Sequence, residues 1–469
     1  MTHSCGDTPA ATLVESTKPS TKEKKKLDKR KKKLSEITPE YIAEQRRLRE
    51  LKKEQKRQEL IAQGIDPDNL DPPKYIKREL LSIPHSSIPE TTIDLKIMTY
   101  NLLAQALIRR SMFPNNGDIL KWNKRSPILL DELKHYDCDI MCLQEVDFIQ
   151  FNNYWKVQLA KLGYLSKYYR SGDKNHGVCI FYKEKLFNLV DTSFIDYDRE
   201  ETGNISPRTI TKNVGLLVGL QLKSNPDKCI VIGTTHLFWH PFGTYERTRQ
   251  TYLVLSKTKE FVKRIQTLHP HITKTWKIFA GDFNSQPFDS PYLSITSKPI
   301  SYDNRCKRVI ACSTSFQFSK LRGGDGAEDE EDPVPESFDA TQEQLDMVQQ
   351  MQDLHNKLPL RAISMYSVAY KTVDEKNAGV DNDRGEPFFS NWAYTWRGLL
   401  DYIFLIKDWE PTETNKDVDS LEQLESEEGV ILKSLLKLPH ADEMNLGQPR
   451  EGEYPSDHLA LIAEIGFAV

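Results

Sequence analysis

Residues 279–285 place a carboxylate and an amide two positions apart at the end of a short apolar run. The run 276–280 predicts a buried strand, and Gly281 predicts the turn that ends it. If the extended conformation persists past Gly281, Asp282 and Asn284 point to the same face. This pair suits a hard cation or a phosphate, because Asp supplies charge and Asn supplies a neutral oxygen and two donors. Taken alone, such a pair is more often an Asx turn at a strand end.

Similar polar residues occur where other apolar strand patterns begin or end. One convergent site at a sheet edge explains these coincidences better than eight separate turn residues do. Carboxylates with Asn and His, without clustered cysteines, indicate Mg²⁺ or Mn²⁺ rather than zinc and favour attack of metal-activated water on a phosphate ester. The sequence has no Gly-x-Ser-x-Gly motif that would indicate a serine nucleophile. The eight residues are Asn101, Glu145, His236, Asp282, Asn284, Asp401, Asp457 and His458.

Alternating strand and helix patterns must position these residues. Helices are predicted over 122–135 and 244–268, where apolar residues recur at helical spacing. Nearly continuous apolar runs such as 139–145 predict strands that are buried on both faces. The predicted strands span 94–101, 139–145, 164–169, 177–182, 213–222, 229–235, 276–280, 401–406 and 459–465.

The charges of the chain are segregated along its length. From residue 18 to 57 there are 17 Lys or Arg against 7 Asp or Glu, whereas residues 323–356 are rich in Asp and Glu and contain no Lys or Arg. We predict a disordered basic tail over 1–37, a basic charged helix over 38–63, a proline-rich linker over 64–92 and a catalytic domain over 93–469, with an acidic insertion at about 301–390. The tail has two interpretations, a solubilising segment or an electrostatic handle for RNA that doubles as a nuclear address.

The composition limits the class of protein. With 38% hydrophobic and 28% charged residues, the 469-residue chain is typical of a soluble globular protein, and no apolar run approaches the roughly 18 residues of a membrane span. The N-terminus lacks the apolar core of a secretory signal, and Asp7 and Glu15 disfavour a mitochondrial presequence without ruling one out. The seven scattered cysteines indicate reduced core residues. We expect a location in the cytoplasm or nucleus, with the nucleolus included, and no membrane association.

Five motifs resemble the endonuclease/exonuclease/phosphatase superfamily. Three further stretches, Tyr100-Asn-Leu-Leu-Ala104, Leu143-Gln-Glu-Val-Asp147 and Leu399-Leu-Asp-Tyr-Ile-Phe404, resemble its deadenylase-like branch, which includes nocturnin and Angel, and the basic helix with Lys74-Tyr-Ile-Lys-Arg78 resembles the fungal Ngl-group RNA exonucleases. The five superfamily motifs are Met98-Thr-Tyr-Asn101, Leu143-Gln-Glu145, Thr235-His236, Gly281-Asp-Phe-Asn284 and Ser456-Asp-His458.

The resemblance implies a fold and a role for each site residue. The fold is a four-layer α/β sandwich of two mixed β-sheets flanked by helices. Glu145 would be the principal Mg²⁺ ligand, with Mn²⁺ as the alternative ion, helped by Asn101 and with Asp457 at the metal's edge. Asp282 and Asn284 would position or deprotonate the attacking water and hold the phosphate. His458, oriented by Asp401, would bind the scissile phosphate and stabilise developing charge, and His236 would contact the phosphate. Pro241 and Trp396 would bracket a terminal base.

Two basic residues are candidates on their own chemistry. Arg208 and Lys212 can pair with phosphates, and they can equally be solvated strand residues. For Trp396 the competing interpretation is a core aromatic residue.

The function implied is a Mg²⁺-dependent 3′-to-5′ exoribonuclease that releases nucleoside 5′-monophosphates, with ribosomal RNA 3′-end processing as the favoured pathway. Poly(A) shortening and removal of the 2′-phosphate of an NADP-type dinucleotide are the alternatives. A catalytically dead binding module is disfavoured by the intact site residues. We expect RNA as the partner, a monomeric catalytic domain and no leucine-rich-repeat docking scaffold.

Overall fold

A computed structural model describes residues 39–62, 74–85, 92–114, 116–315, 338–410, 412, 420–445 and 447–468. The chain divides into two units at Pro72 and Pro73. In the first unit the structure describes one helix, α1 (Pro39–Ala62). Its side-chain contacts include an ion pair between Glu44 and Arg47, as expected for a charged, solvated helix. The basic tail predicted over 1–37 lies outside the described residues.

The second unit contains the strands and most of the helices. Its longer helices are α2 (Trp122–Tyr136), α3 (Thr244–Leu268), α4 (Ser290–Thr296), α5 (Asn304–Ser315), α6 (Gln342–Lys357), α7 (Met365–Val373) and α8 (Leu421–Glu428). Shorter helical segments include Phe148–Gln150, Phe151–Trp155 and Lys156–Ala160. The strands are β1 (Leu80–Ser82), β2 (Thr92–Asn101), β3 (Ile140–Asp147), β4 (Tyr164–Tyr169), β5 (His176–Lys183), β6 (Phe187–Asp196), β7 (Val214–Leu222), β8 (Lys228–His236), β9 (Lys274–Asp282), β10 (Leu360–Ser364), β11 (Asn391–Ala393), β12 (Trp396–Gly398), β13 (Asp401–Asp408), β14 (Val430–Leu436) and β15 (Leu461–Ala468).

Two large mixed sheets form the frame of the molecule. The seven-stranded sheet has the order β1-β14-β15-β2-β3-β5-β4, and the six-stranded sheet has the order β10-β13-β9-β8-β7-β6. Within each sheet one central pair is parallel, β2 with β3 and β8 with β9, and the other pairs are antiparallel. The two parallel pairs face each other across the interface between the sheets. Because parallel strands end at the same edge, this arrangement brings four strand ends together.

Apolar side chains fill three layers between the elements. The two sheets pack through a central core to which Ile97, Ile140 and Ile278 belong. A second cluster joins α3 to the outer face of the six-stranded sheet, and a third joins α2 to the outer face of the seven-stranded sheet. The predicted four-layer α/β sandwich is therefore confirmed.

Six strands were not predicted from the sequence: β1, β6, β10, β11, β12 and β14. Three of them, β1, β6 and β10, lie at the edges of the two large sheets, and β11 pairs with β12 in a separate two-stranded sheet. Edge strands are often short or half exposed, so their residues do not carry the strong apolar run of a central strand. β6, for example, is mostly of intermediate burial along its length.

Part of the segment predicted as a linker belongs to the second unit. β1 pairs with β14, and the amide of Ile76 donates to the Glu453 carbonyl at 3.0 Å. Strand β1 was not predicted, because it is only three residues long and is surrounded by prolines. The linker boundary at residue 92 is therefore too late.

The predicted insertion over 301–390 also contains ordered core elements. α5 and α6 share an apolar cluster with Tyr245 of α3, and β10 completes the edge of the six-stranded sheet beside β13. The prediction treated the many turn residues as a sign of irregular structure, although β10 itself is fully buried. The acidic stretch 316–337 lies outside the described residues.

Arg78 anchors the N-terminal segment of the second unit to the outer layer. Its guanidinium lies 3.8 Å from the Glu132 carboxylate and donates to the Lys437 carbonyl at 3.2 Å. The Tyr100 hydroxyl, next to Asn101, donates to the same carboxylate at 2.9 Å. Burial raises the pKa of Glu132 to about 7, although Arg78 opposes the shift.

Arg78→Met is expected to lower the free energy of unfolding by about 3–5 kcal/mol, because it leaves a buried carboxylate without its cation. Urea denaturation followed by circular dichroism measures this change. The double variant Arg78→Met/Glu132→Gln should recover most of the loss, since the amide still accepts from Tyr100 without a charge. A single variant as stable as the wild type would contradict this role.

Candidate active site

The ends of the four parallel strands place polar side chains at one point between the sheets. Asn101 ends β2, Glu145 lies in β3, His236 ends β8 and Asp282 ends β9. The Asn101 amide donates to Asp282 Oδ2 at 2.9 Å, which bridges the two sheets. His236 lies between the carboxylates, with Nε2 3.6 Å from Asp282 Oδ2 and Nδ1 3.9 Å from Glu145 Oε1. The structure therefore brings these four predicted residues together.

Glu145 is aimed into the cleft by a β-bulge. The pairing of β3 with β5 shifts register between Leu143 and Val146, and Glu145 adopts a φ of 53°. A non-glycine residue in this left-handed region carries local strain, and bulges commonly redirect a side chain at a functional site. The Ala104 amide donates to Glu145 Oε2 at 2.8 Å. Oε1 has no hydrogen-bond partner among the described residues and faces His236.

His458 forms a buried charged pair with Asp401. Its Nδ1 lies 2.8 Å from Asp401 Oδ2, which also accepts from the Ser390 hydroxyl at 2.7 Å. Burial alone would lower the pKa of His458, but the carboxylates of Asp401 and Asp282 raise it well above its usual value. The imidazole is therefore positively charged near neutral pH and donates to Asp401 from Nδ1. Its Nε2 lies 3.7 Å from Asp282 Oδ2, too far for a hydrogen bond.

The backbone around Asp282 differs from the predicted strand end. β9 continues to Asp282, and Gly281 is required because a Cβ atom there would lie 2.4 Å from the Thr235 carbonyl oxygen. The extended conformation does not persist, since Asn284 has a φ of 46° and its backbone N–H donates to Asp282 Oδ1 at 2.9 Å. The local geometry is thus an Asx-type turn within the site. Burial and the neighbouring Asp401 raise the pKa of Asp282, while His458 opposes the shift.

Asp457 adds a further carboxylate beside Glu145. Burial raises the pKa of Asp457 to about 6, His458 opposes the shift, and Glu145 adds to it by repulsion. Behind them lies the fully buried Arg125, whose guanidinium donates to the carbonyls of Leu102, Leu103 and Pro455. Arg125 therefore ties the loop after β2 to the segment that carries Asp457.

Oxygen ligands and excess negative charge make this cluster suitable for a divalent cation. Asp282, Asp401 and His458 have ligand atoms within 4.8 Å of one another. Because Asp401 and His458 are already paired with each other, the open oxygens of Glu145 and Asp457 fit a hard cation better. Burial is the main cause of the raised pKa values of Asp282 and Asp457, and repulsion by the neighbouring carboxylates of Asp401 and Glu145 adds to it.

The predicted substrate-binding residues lie at different distances from this cluster. Lys212 borders a small cavity with Lys174, His176 and His236. Arg208 instead donates to the Thr314 carbonyl and borders a separate cavity of about 370 Å³, so the structure does not bring it into the cluster.

Pro241 and Trp396 lie at the surface near the cluster. Pro241 is exposed, and its loop is fixed by the buried Arg247, which donates to the carbonyls of Phe238, His240 and Pro241. Trp396 is 46% exposed, which excludes the core interpretation. A Cβ atom at Gly398 would contact both the Trp396 ring and the side chain of Gln286, so Trp396 lies beside the turn that follows Asp282.

Several supporting residues were not found by sequence reasoning. The Gln144 amide donates to Thr99 and Thr234 and so joins the two sheets next to Glu145. Burial lowers the pKa of Lys174 to about 8, and the ring of His176 lies 6.3 Å from that of His236. Of these residues, only Gln144 belonged to a recognisable motif, Leu143-Gln-Glu145.

His236 is neutral near physiological pH. Burial, with the neighbouring Lys174, His176 and His458, lowers the pKa of His236 well below its usual value. A neutral imidazole between Glu145 and Asp282 can donate one hydrogen bond to a phosphate oxygen without adding a charge.

Known proteins share sequence and fold with this chain. A statistical model of the endonuclease/exonuclease/phosphatase family matches residues 98–458, a span that contains all of the residues named in the cluster. The chain belongs to the endonuclease/exonuclease/phosphatase family. This confirms the resemblance inferred from the five motifs.

Two yeast members of the family resemble the chain along most of its length. It is 50% identical to RNA exonuclease NGL2 of Saccharomyces cerevisiae over 94% of this chain and 91% of the relative. It is 38% identical to the probable RNA exonuclease NGL3 of the same organism, over 92% and 90%. The crystal structure of ANGEL2, a 2′,3′-cyclic phosphatase, in complex with adenosine-2′,3′-vanadate has the same fold, with a TM-score of 0.56, 23% identity and coverage of 84% of this chain and 99% of that chain.

Proposed function

We propose that this family member is a Mg²⁺-dependent 3′-to-5′ exoribonuclease that hydrolyses RNA phosphodiesters and releases nucleoside 5′-monophosphates. The observation that carries the proposal is the convergence of Glu145, Asp282 and the Asp401–His458 pair on one buried point. The 50% identity with a relative named as an RNA exonuclease supports RNA as the substrate. Among the described residues, no helix is both long and apolar enough to cross a membrane.

Glu145, Asn101 and Asp457 are the residues that would hold Mg²⁺, with Mn²⁺ as an alternative. They supply the carboxylate and amide oxygens that these ions prefer. When bound, the ion supplies a Lewis acid that neutralises charge on the phosphate oxygens. The protein contributes a preformed site that includes the carboxylates of Glu145 and Asp457. Arg125 and the β-bulge at Glu145 fix the positions of these ligands before the substrate binds.

The remaining residues act on water and phosphate. Asp282, with a raised pKa, is suited to orienting the attacking water and accepting its proton. His458 presents a charged Nε2 donor to the phosphate as negative charge develops there, and Asp401 fixes its orientation. His236 and the side-chain amide of Asn284, whose Nδ2 also donates to the Leu237 carbonyl at 3.0 Å, provide neutral donors to the same phosphate group. The bond broken joins phosphorus to the 3′-oxygen of the nucleotide that remains on the RNA.

Trp396 and Pro241 are proposed to bracket the terminal base. Trp396→Ala is expected to raise KM for RNA about 10–100-fold with a smaller change in kcat, because base stacking on an aromatic ring contributes about 1–3 kcal/mol. Steady-state kinetics on a short RNA measure both constants. Trp396→Phe should recover most of the affinity. Equal KM values for the wild type and the alanine variant would remove Trp396 from the base site.

The basic N-terminal residues support a large structured RNA as substrate. We propose ribosomal RNA 3′-end processing as the pathway and a nuclear or cytosolic site of action, with the 17 Lys and Arg of residues 18–57 as the electrostatic handle. The catalytic domain over 93–469 is proposed to act as a monomer.

One side-by-side assay tests the proposed reaction. Full-length protein with Mg²⁺ is incubated with a structured RNA, oligo(A) and NADPH, each also with Glu145→Gln. Stepwise loss of nucleotides from the 3′ end, absent in the variant, supports the proposal, and the two RNAs rank processing against deadenylation. Phosphate release from NADPH with intact RNA would make the protein a metabolite phosphatase instead.

A further inference from the structure

A stack of aromatic and cationic side chains reaches the surface close to the site. The ring of Phe151 stacks on Tyr168 with centroids 4.5 Å apart, and Phe148 lies 6.0 Å from the same tyrosine. The guanidinium carbon of Arg170 lies 3.9 Å from the centroid of the Phe148 ring. Phe148 is 40% exposed and its neighbour Ile149 is 66% exposed. The stack therefore starts in the core and ends in solvent with an apolar ring and a charged plane.

Backbone pairing connects this stack directly to the catalytic cluster. Phe148 follows Glu145 by three residues, and its amide donates to the Asn175 carbonyl at 2.8 Å. The adjacent Asp147 pairs with His176, which faces His236. The position of Phe148 is thus fixed relative to the site, because the residues around it and the site residues Glu145 and His236 are linked through the ends of β3 and β5.

The stack and Trp396 lie on opposite sides of the cluster. The β11–β12 hairpin that carries Trp396 precedes β13 and bonds to the backbone of Asp457 just before β15. In the strand orders of the two sheets, β13 and β15 lie on one side of the parallel pairs, whereas β5 and β4 lie on the other. Phe148 and Arg170 follow β3 and β4, so a chain crossing the cluster from Trp396 next meets them.

The chemistry of this surface suits a nucleic acid backbone. Residues 156–174 contain five Lys or Arg and one acid, Asp173, which pairs with Lys212. Within the described part of the chain, the Arg170 guanidinium makes one hydrogen bond, from Nη1 to the Lys174 carbonyl at 2.8 Å. That bond and the Phe148 ring hold the guanidinium plane in place, and its other donors remain available for phosphate oxygens.

We propose that Phe148 and Arg170 form a subsite for RNA nucleotides on the 5′ side of the scissile phosphodiester. A base stacks against the exposed Phe148–Arg170 pair, while the free guanidinium donors bind the adjoining phosphate. This inference rests on the proposed exoribonuclease function. This subsite would keep the shortened RNA bound after the terminal nucleotide has left.

The test compares two substrates of the same reaction. One is a ten-nucleotide RNA, and the other is the p-nitrophenyl ester of uridine 5′-phosphate, which carries a terminal nucleotide and nothing upstream. Phe148→Ala and Arg170→Ala are each expected to lower the ratio of kcat/KM between the RNA and the ester by about 10-fold. Arg170→Ala should also reduce the slope of log(kcat/KM) against log[salt] by about 1 for the RNA.

Arg264→Ala is the matched control. Arg264 is also stacked on a phenylalanine, at 5.0 Å from Phe261, but it lies in the last turns of α3, far from the end at Thr244 that adjoins the site. The control should leave the ratio at its wild-type value. Equal losses of kcat/KM on the RNA and on the ester would show that the Phe148 or Arg170 variant disturbs Glu145 instead. A full activity and an unchanged ratio of kcat/KM between the two substrates would assign the surface to another partner, such as a protein. Either result would overturn the subsite.

A set of RNAs with a single abasic residue provides a second measurement. In the wild type, removing the base that contacts Phe148 should slow hydrolysis at one position along the upstream RNA. In Phe148→Ala that penalty should disappear while penalties elsewhere remain. An identical penalty profile in the two proteins would overturn the proposal. A wild-type enzyme without activity on any RNA would instead disprove the proposed function, so the two failures are distinguishable.

Discussion

Glu145→Gln is expected to lower kcat on RNA by about 10³-fold or more. The amide retains the shape of the side chain and can still accept from the Ala104 amide, so the bulge in β3 should persist. The substitution removes one negative charge from the metal site that Glu145 forms with Asp457. Single-turnover hydrolysis across a Mg²⁺ titration, with calorimetric Mg²⁺ binding to the same samples, measures both activity and metal affinity.

A second observable separates a metal ligand from a structural carboxylate. Glu145 and Asp457 repel each other without metal, so Glu145→Gln should unfold at the same temperature as the metal-free wild type or higher, and added Mg²⁺ should stabilise it less. Glu443→Gln is the matched control, since Glu443 also accepts a backbone amide hydrogen, from His440, but lies outside the site. Wild-type metal affinity in Glu145→Gln would remove Glu145 from the ligand set.

Asp401→Asn is expected to lower kcat by about 10²–10⁴-fold with little change in KM. Asp401 is completely buried, and its Oδ2 accepts from both His458 Nδ1 and the Ser390 hydroxyl. An asparagine can keep one of these bonds, but its amide group cannot stabilise an imidazolium. His458 would therefore lose the charge and orientation that it offers to the phosphate, whereas the surfaces that bind the RNA bases remain.

Kinetics and nitrogen NMR of the histidine ring together test this positioning role. The spectrum of His458 should change from that of an imidazolium to that of a neutral tautomer in Asp401→Asn. Asp374→Asn is the matched control. Asp374 forms a similar pair outside the cluster, with its Oδ1 3.1 Å from His440 Nε2. A loss of activity expressed only in KM, or an unchanged His458 spectrum, would show that Asp401 supports the fold rather than the charge on His458.

The sequence by itself determined the central strands and the residues at their ends. A strand buried on both faces must be apolar along its whole length, so β3 and β9 were recognisable from local pattern. The polar residues that interrupt those runs were recognisable for the same reason. Because parallel strands end at one edge, the convergence of Asn101, Glu145, His236 and Asp282 could be anticipated before any coordinates.

The tertiary structure decided what depends on partners that are distant in sequence. Arg125 binds Pro455, 330 positions away, and Arg78 binds Lys437, 359 positions away, so no local pattern identifies either arginine as a positioning residue. Edge strands such as β1 and β10 carry little signal of their own, since their burial comes from the neighbouring strand. Similarly, the need for glycine at 281 arises from the approach of Thr235. The stack of Phe148 with Arg170 arises because β3 and β4, on either side of β5, end at the same edge of the sheet. Local pattern specifies which residues end a strand, whereas only packing specifies what those residues meet.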